Sequence, residues 1–321
     1  MIKITPEIPL LGCIAFGIID RGTNLLQVRA TSACNLNCIF CSTDSGPHSQ
    51  CHKTNFTVDL NYLIEETKKI VEFKNTDIEI NIDSVGEPLT YPELTQLIKR
   101  LKNIPLIYKV SIQTNGLLLT KDKLKELKSA GLDSINLSIS SLDPKLAKEL
   151  SNQPSYDINS IIKIAKEIPK YMELRLCPVW IPKINDVEIP KIIEFAKDID
   201  AKLGIQKYEI YKYSRKIKKV KPITWWKFYK SLKDLEKKHN IKLILTKQDM
   251  EIKKAKRIPE VFKKGEKIQA TVKLPGWYSH QMIAIAKDRC IAINNCTKKI
   301  DDMVNIKILE TKNNLYVGEQ I

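Results

Sequence analysis

The chain has 321 residues, of which 43% are hydrophobic and 28% charged, a balance that excludes a disordered or fibrous protein. No apolar run reaches the roughly eighteen residues of a membrane-spanning helix. The net charge of +16 is placed unevenly, with 25 Lys and Arg against 25 Asp and Glu in residues 1–206 and 28 against 12 in residues 207–321. Basicity gained for solubility alone would be spread along the chain. Confined to the last third, it predicts a polyanionic partner, with RNA, DNA or an anionic membrane as the candidates.

Residues 1–24 read as an N-terminal extension. Within them PLLGCIAFGII (9–19) imitates a signal peptide, but it has no small-residue cleavage site and runs straight into a strand. Without an export signal the protein is expected in the cytoplasm, where its eight cysteines suit metal binding better than disulfides. From 25 to 211, β-type runs alternate with helical ones. Strands are predicted at 25–30, 77–83, 108–114, 133–140, 173–179 and 202–211. Helices are predicted at 60–73, 92–103, 121–130 and 187–199, where apolar residues recur at three and four. Six strand–helix units in series build a parallel sheet with helical crossovers.

Parallel strands covered on both faces read as continuous apolar runs, and these do not. Ile78, Ile80 and Ile82 share one face against Glu79, Asn81 and Asp83. Ile135, Leu137 and Ile139 oppose Asn136, Ser138 and Ser140, and Leu174 and Leu176 oppose Arg175 and Cys177. With helices on the apolar face, the polar face lines the inside of a curved sheet. An eight-stranded barrel fills its interior with Val, Ile and Leu. Six polar-lined strands therefore predict an α/β fold, a partial (β/α)6 barrel around a ligand, within a domain of residues 25–240. The alternative is an open sheet with one wet face.

Past 211 the segment YKYSRKIKKVKPITWWKFYKSLKDLEKKHN is basic, aromatic and then helical, with Trp225, Trp226 and Phe228 as candidate core of one helix. Residues 241–264 read as a basic linker. From 265 to 321 short strands return (IQATVKL, QMIAIAK, CIAINNC, MVNIKILET, NLYVG), the pattern of a small all-β barrel.

The densest chemistry is SACNLNCIFCST, which places Cys34, Cys38 and Cys41 just after the first strand. A closed zinc site takes four ligands, and His48 or His52 would supply the fourth. Three thiolates also hold three irons of a [4Fe–4S] cluster and leave the fourth iron open to a substrate. Cys34-x3-Cys38-x2-Cys41 ahead of the later strands resembles the radical S-adenosylmethionine (SAM) superfamily over residues 25–211. The resemblance implies that Gly86-Glu87-Pro88, ending the second strand, receives the methionine amino group. It implies ribose contacts at Thr114-Asn115-Gly116 and at Ser138 and Ser140, and a carboxylate contact at Arg175. The family element commonly carries one more glycine, where Ser84-Val85 stand here. The implied reaction is reductive cleavage of SAM to a 5′-deoxyadenosyl radical that abstracts hydrogen from an inert carbon, with ferredoxin or flavodoxin as reductant.

Residues 265–321 resemble a TRAM domain, a small β-barrel that RNA-modifying enzymes use to hold tRNA. The likeness rests on Gly265, the strand ATVKL and the ending NIKILETKNNLYVG. Lys and Arg make phosphate contacts, and Trp225, Trp226, Trp277, Tyr278 and Tyr316 are interleaved with them as stacking candidates. Cys13, Cys290 and Cys296 read as small buried hydrophobes, the last two alternatively as a thermophile's disulfide. Cys177 shares the polar face with Arg175 and is the catalytic candidate. Its open roles are hydrogen donor, methyl carrier, or one ligand of a second Fe–S cluster with Cys13 and Cys51. These features predict a radical SAM enzyme that modifies RNA, tRNA first, through residues 207–321, by methyl or methylthio transfer to an unactivated carbon. Known tRNA methylthiotransferases carry an N-terminal domain with three more cysteines, which 24 residues do not accommodate, and this puts methyl ahead. The rivals are a radical SAM maturase of a peptide or small metabolite, and a zinc-bearing RNA-binding protein without catalysis.

Overall fold

The computed structural model describes residues 1–321. Its first elements are β1 (Ile2–Ile4), β2 (Gly17–Asp20), β3 (Leu25–Arg29), β4 (Phe56–Val58), α1 (Leu60–Lys74), β5 (Ile78–Ile82), α2 (Leu94–Lys102) and β6 (Ile107–Thr114). There follow α3 (Lys121–Ser129), β7 (Ser134–Leu137), α4 (Pro144–Ser151), α5 (Ile158–Glu167), β8 (Glu173–Leu176), β9 (Val179–Trp180), α6 (Glu188–Asp198), β10 (Lys202–Leu203), β11 (Gln206–Lys207) and α7 (Trp225–His239). The last strands are β12 (Lys267–Pro275), β13 (Gln281–Ala286), β14 (Arg289–Asn294), β15 (Met303–Glu310) and β16 (Val317–Gln320). None of the helices is long and apolar enough to cross a membrane. Two compact units divide the chain, one of Met1–Cys34, Ser49–Lys109 and Lys253–Ile321, the other of Asn35–His48 and Val110–Ile252.

In the first unit β3 pairs in parallel with β5 and antiparallel with β2, a partner that the predicted strands did not include. Ile78, Ile80 and Ile82 are fully buried on the dry face of β5. On the other face Arg29 grips Asp83 through Nε and Nη2, at 3.0 and 2.8 Å, and Gln27 donates to the same carboxylate. Helix α1 begins at Asp59, whose carboxylate accepts from Tyr62 N, and ends at left-handed Asn75. Its last residue, Lys74, meets Asp20 at the end of β2, Nζ to Oδ1 2.9 Å, with both side chains fully buried. Lys74 also donates to Lys256 O at 2.7 Å, and Asp20 accepts from Gly22 N and Ile258 N, each at 2.8 Å. A charge can be buried when its partners are built in.

The barrel belongs to this unit. Its strands close in the order β12–β13–β14–β16–β15 around Val272, Ile291, Ile306, Ile308 and Tyr316. Residues 241–264, expected as a linker, hold no helix or strand, yet Ile258 and Phe262 are buried, Phe262 within the barrel core. The N-terminal segment is bound to β14. A Cβ on Gly12, at φ +115, would lie 2.0 Å from Cys290 O, while Leu11 O and Gly12 O accept from Cys290 N and Tyr316 N. Cys290 and Cys296 are both free. Cys290 is buried at the start of β14 and Cys296 lies past its far end, about 13 Å of strand separating Cys290 from Asn294.

In the second unit β6, β7, β8 and β10 are parallel neighbours in that order. The predicted strand 173–179 is broken into β8 and β9, and 202–211 into β10 and β11. Register is unchanged across the break, with Lys202 opposite Arg175 and Gln206 opposite Val179, so no slip has occurred. Pro178 has no N–H to give the ladder, although its carbonyl still accepts from Gln206 N at 2.8 Å. In α7 the expected core of Trp225, Trp226 and Phe228 reduces to Phe228. Phe228 and Leu232 define the buried stripe. At about 100° per residue, Trp225 falls on its rim and Trp226 on the far side. Of the other candidate stacking rings, Trp277 and Tyr316 are interior.

Lys74→Ala leaves Asp20 charged in a dry site and is expected to cost about 3–5 kcal/mol of stability. The paired change Asp20→Asn with Lys74→Met is expected to recover most of it. Melting midpoints of the three proteins check this, and an unchanged midpoint for Lys74→Ala contradicts it.

Candidate functional site

Cys34 closes a stretch of the first unit, and Cys38 and Cys41 lie in the loop of the second; all three are half-buried and none is in a disulfide. The loop in the second unit is held by hydrogen bonds without regular structure. Asn37 N and Ile39 N donate to Ser151 O and Leu150 O in the last turn of α4, at 3.1 and 3.0 Å. Cys41 N reaches back to Cys38 O at 3.1 Å, and Cys41 Sγ accepts from Ser45 N at 3.4 Å.

Arg215 is the residue that sequence reasoning missed. Its backbone N donates to Cys41 O at 2.9 Å. Its guanidinium donates to Cys38 O at 3.1 Å, Ser45 O at 2.9 Å and the Asp44 carboxylate at 2.5 Å. Ser214 Oγ adds a bond to Ser42 O at 2.9 Å. A rigid planar fork of five donors holds several acceptors in a fixed arrangement, which a lysine's compact ammonium on a flexible stem does not. In the sequence Arg215 stands among Lys212, Lys216 and Lys218, and no spacing sets it apart.

The turn Gly86-Glu87-Pro88 lies within the first unit against the residues that precede Cys34. A Cβ on Gly86 would sit 2.1 Å from Ala33 O, and Glu87 N donates to that carbonyl at 2.7 Å. Ser84, two residues before Gly86, closes the turn with its hydroxyl. It donates to Thr31 O and accepts from Gly86 N, at 2.5 and 2.8 Å. The buried Glu87 carboxylate accepts from Leu89 N at 3.0 Å, and Pro88 begins the short 3-10 turn that this caps.

The remaining candidates lie in the second unit. Asn115 Nδ2 donates to Asn35 Oδ1 at 2.8 Å, which joins the end of β6 to the cysteine loop. Thr114 is buried, with Oγ1 accepting from Gly116 N at 3.0 Å and its carbonyl accepting from Ser138 N at 2.9 Å. Ser140 Oγ accepts from Val179 N at 3.1 Å. A second unforeseen residue, Asn185, is fully buried and donates through Nδ2 to Ser140 O and Val179 O, at 2.8 and 2.9 Å. Arg175 and Cys177 meet the same neighbour: a Cβ on Gly204 would lie 3.2 Å from Arg175 Cδ and 3.4 Å from Cys177 Sγ. Burial pushes the Cys177 thiol up to about 12, with the Arg175 charge opposing it. Burial likewise raises Cys13 to about 11.

Two buried donors, Asn35 Nδ2 and Arg175 Nε, have no acceptor in the protein. A buried donor left so calls for a partner, and a carboxylate or a hydroxyl-rich ligand supplies one. Within the second unit, the N–H directed at the Cys41 sulfur and these two waiting donors are of the kind that the cluster and the SAM implied by the cysteine motif would meet.

The sequence profile described as the Radical SAM superfamily matches residues 28–196. An uncharacterized protein of Methanocaldococcus jannaschii is 40% identical, over 100% of this chain and 80% of its own length. A probable GTP 3′,8-cyclase of Methanococcus aeolicus is 31% identical, over 62% of this chain and 68% of its own length. Among solved structures, Streptococcus suis SuiB bound to S-adenosylmethionine superposes with a TM-score of 0.52 at 19% identity. That likeness covers 69% of this chain and 49% of SuiB, so it is one of fold over about half of the larger protein.

Loss of the loop's clasp is expected to loosen the metal. Arg215→Ala should retain a reconstituted cluster about 10- to 100-fold less well, the usual cost of removing an outer partner of a ligand. Arg215→Lys should rescue little. Iron and sulfide per chain, with the spectrum of the reduced cluster, check it, and full retention by both variants contradicts it. The raised Cys177 thiol is protonated at pH 8 in the folded state, so iodoacetamide at that pH should label it only after unfolding. Peptide mapping before and after denaturation checks this.

Proposed function

The chain belongs to the radical SAM superfamily, whose members use a [4Fe–4S] cluster and S-adenosylmethionine, and from the placement of its charge we infer that it modifies RNA, tRNA first, at an otherwise inert carbon. The cofactor pair supplies a carbon-centred radical when bound. Cys34, Cys38 and Cys41 would hold the cluster. The Gly86-Glu87-Pro88 turn, Thr114, Asn115, Ser138, Ser140 and Arg175 would hold SAM, with Asn35 Nδ2 and Arg175 Nε as the donors left to meet it. Cys177, sealed from water and holding its proton, suits hydrogen donation directly. Methyl carriage or cluster ligation would first require its thiolate.

The observation that carries the RNA reading is the charge. The entire +16 lies in residues 207–321, and phosphates are what such a surface meets best. The small closed barrel at 267–320 adds the kind of module that RNA-modifying enzymes append, on its likeness to TRAM alone. A second reading has its own support. The 31% identity to a probable GTP 3′,8-cyclase favours a free purine nucleotide as substrate.

One experiment separates them. Reconstituted protein, SAM and reductant are incubated anaerobically with tRNA from a strain lacking the gene, and in parallel with GTP. Nucleosides and nucleotides are then weighed by mass spectrometry. A tRNA nucleoside heavier by one methylene is the expected result, and a gain of sulfur as well would mark methylthio transfer. Consumption of GTP with unchanged tRNA would replace the RNA reading with the nucleotide one.

A further inference from the structure

Helix α7 leaves three aromatic rings largely in water, two of which, Trp225 and Tyr229, touch the buried Phe228 only edge-on. Phe228 is buried with its ring centroid 6.0 Å from that of Trp180, and Leu232 is buried on the same stripe. Trp225, Trp226 and Tyr229 are 53%, 69% and 45% exposed, and they are the only large hydrophobic side chains exposed on the helix. Scattered exposed apolar residues need no explanation; three large rings clustered within five residues do.

The rings are held in place. Trp225 and Tyr229 stack, with centroids 5.6 Å apart and planes 27° from parallel. Lys207, almost buried and paired with Glu209 at 2.8 Å, sets its Nζ 5.0 Å from the Trp225 centroid. Lys230 Nζ lies 5.3 Å from the centroid of Trp226. Thr224 caps the first turn by accepting from Lys227 N at 3.3 Å, which fixes the backbone that carries all three. The segment 211–240 has eleven Lys and Arg against two acidic residues, so the rings stand in a strongly positive field.

Those observations choose among occupants. A lipid surface takes up a broad apolar face in which Trp stands among Leu and Phe, and here the rings stand with no exposed aliphatic side chain on the helix to extend such a face. Flat rings with cations beside them match the face of a base and the charge of its backbone, which only a nucleic acid strand joins in one ligand. Unpaired bases are required, because paired ones have no free face to offer. The place is also apt. Trp180, which backs Phe228, lies on β9, directly after the strand of Arg175 and Cys177, and Arg215 ties the chain that enters α7 to the cysteine loop.

We propose that Trp225, Trp226 and Tyr229 form a stacking platform for unpaired bases of the RNA substrate, with Lys227 and Lys230 taking the adjacent phosphates. The proposal rests on the RNA reading above and names the surface that would serve it.

The test titrates the full-length holoprotein with labelled oligouridine and oligoadenylate, read by anisotropy and by quenching of tryptophan emission. The parent should bind with quenching. Trp225→Ala with Trp226→Ala should weaken binding about 5- to 150-fold for each stacked base lost, with the salt slope unchanged. Lys227→Ala with Lys230→Ala should flatten that slope by about 1.4. Trp226→Ala alone, at the most exposed of the three rings, keeps the test open should the double variant melt early. Parent-like binding by tryptophan variants that melt like the parent overturns the platform and leaves the RNA reading standing. A parent that binds no RNA overturns both. If it instead binds phosphatidylglycerol vesicles with blue-shifted emission, the surface belongs to lipid.

Discussion

Two opposite charges sealed from water set the terms for the first unit. Asp20 and Lys74 cannot be moved apart without stranding an ion in a dry interior, so everything bonded to them is positioned with them. That includes the end of β2, the last turn of α1 and the backbone at Lys256 and Ile258, which leads into the barrel. The pair's effect is on which arrangement is permitted more than on how much energy is gained. A hydrophobic pair of the same size would tolerate sliding; hydrogen-bonded charges do not.

Arginine does comparable work at two other places. Arg29 meets Asp83 in a bidentate pair on the polar face of the first unit's strands, and Arg215 gathers three carbonyls and a carboxylate around the cysteine loop. The cysteine loop also packs Ile39 and Phe40 against Leu150, Ile181 and Tyr208, and the directional bonds add to that packing a fixed placement of its backbone. The superfamily match and the charge excess also occupy different stretches of chain. The superfamily match ends at residue 196, and the charge excess begins at 207. Relatives that share the first stretch can therefore act on quite different molecules.

Periodicity disclosed what is local. The strands at 25–30, 77–83 and 108–114 lie within a residue of β3, β5 and β6, and four of the five tail strands appear where they were expected while β16 starts three residues into NLYVG, because alternation and apolar spacing are properties of neighbours in sequence. What periodicity cannot carry is the identity of a distant partner. β2 pairs with β3 through a hairpin whose residues read as one apolar run with the segment before it. Arg215 is one basic residue among many until its acceptors, some 170 residues earlier, are placed around it. Asn185 looks like a loop residue until Ser140 and Val179 meet it. Trp225 and Trp226 misled in the opposite sense. Large rings at the start of an amphipathic helix suggest core, and only the stripe set by Phe228 and Leu232 shows which side faces the protein.

The seam between the N-terminal segment and β14 has a consequence for how the chain is made. Pro9 accepts a bond from a thiol 281 residues later, and Leu11 and Gly12 are paired to Cys290 and Tyr316. On the ribosome these early residues emerge long before their partners exist. The long stretch from Val110 to Ile252, contained in the other unit, is synthesised in between. Translation therefore imposes an order: the second unit can condense while the first still waits, its leading segment exposed, for its closing strands. Until then PLLGCIAFGII has no barrel to pack against.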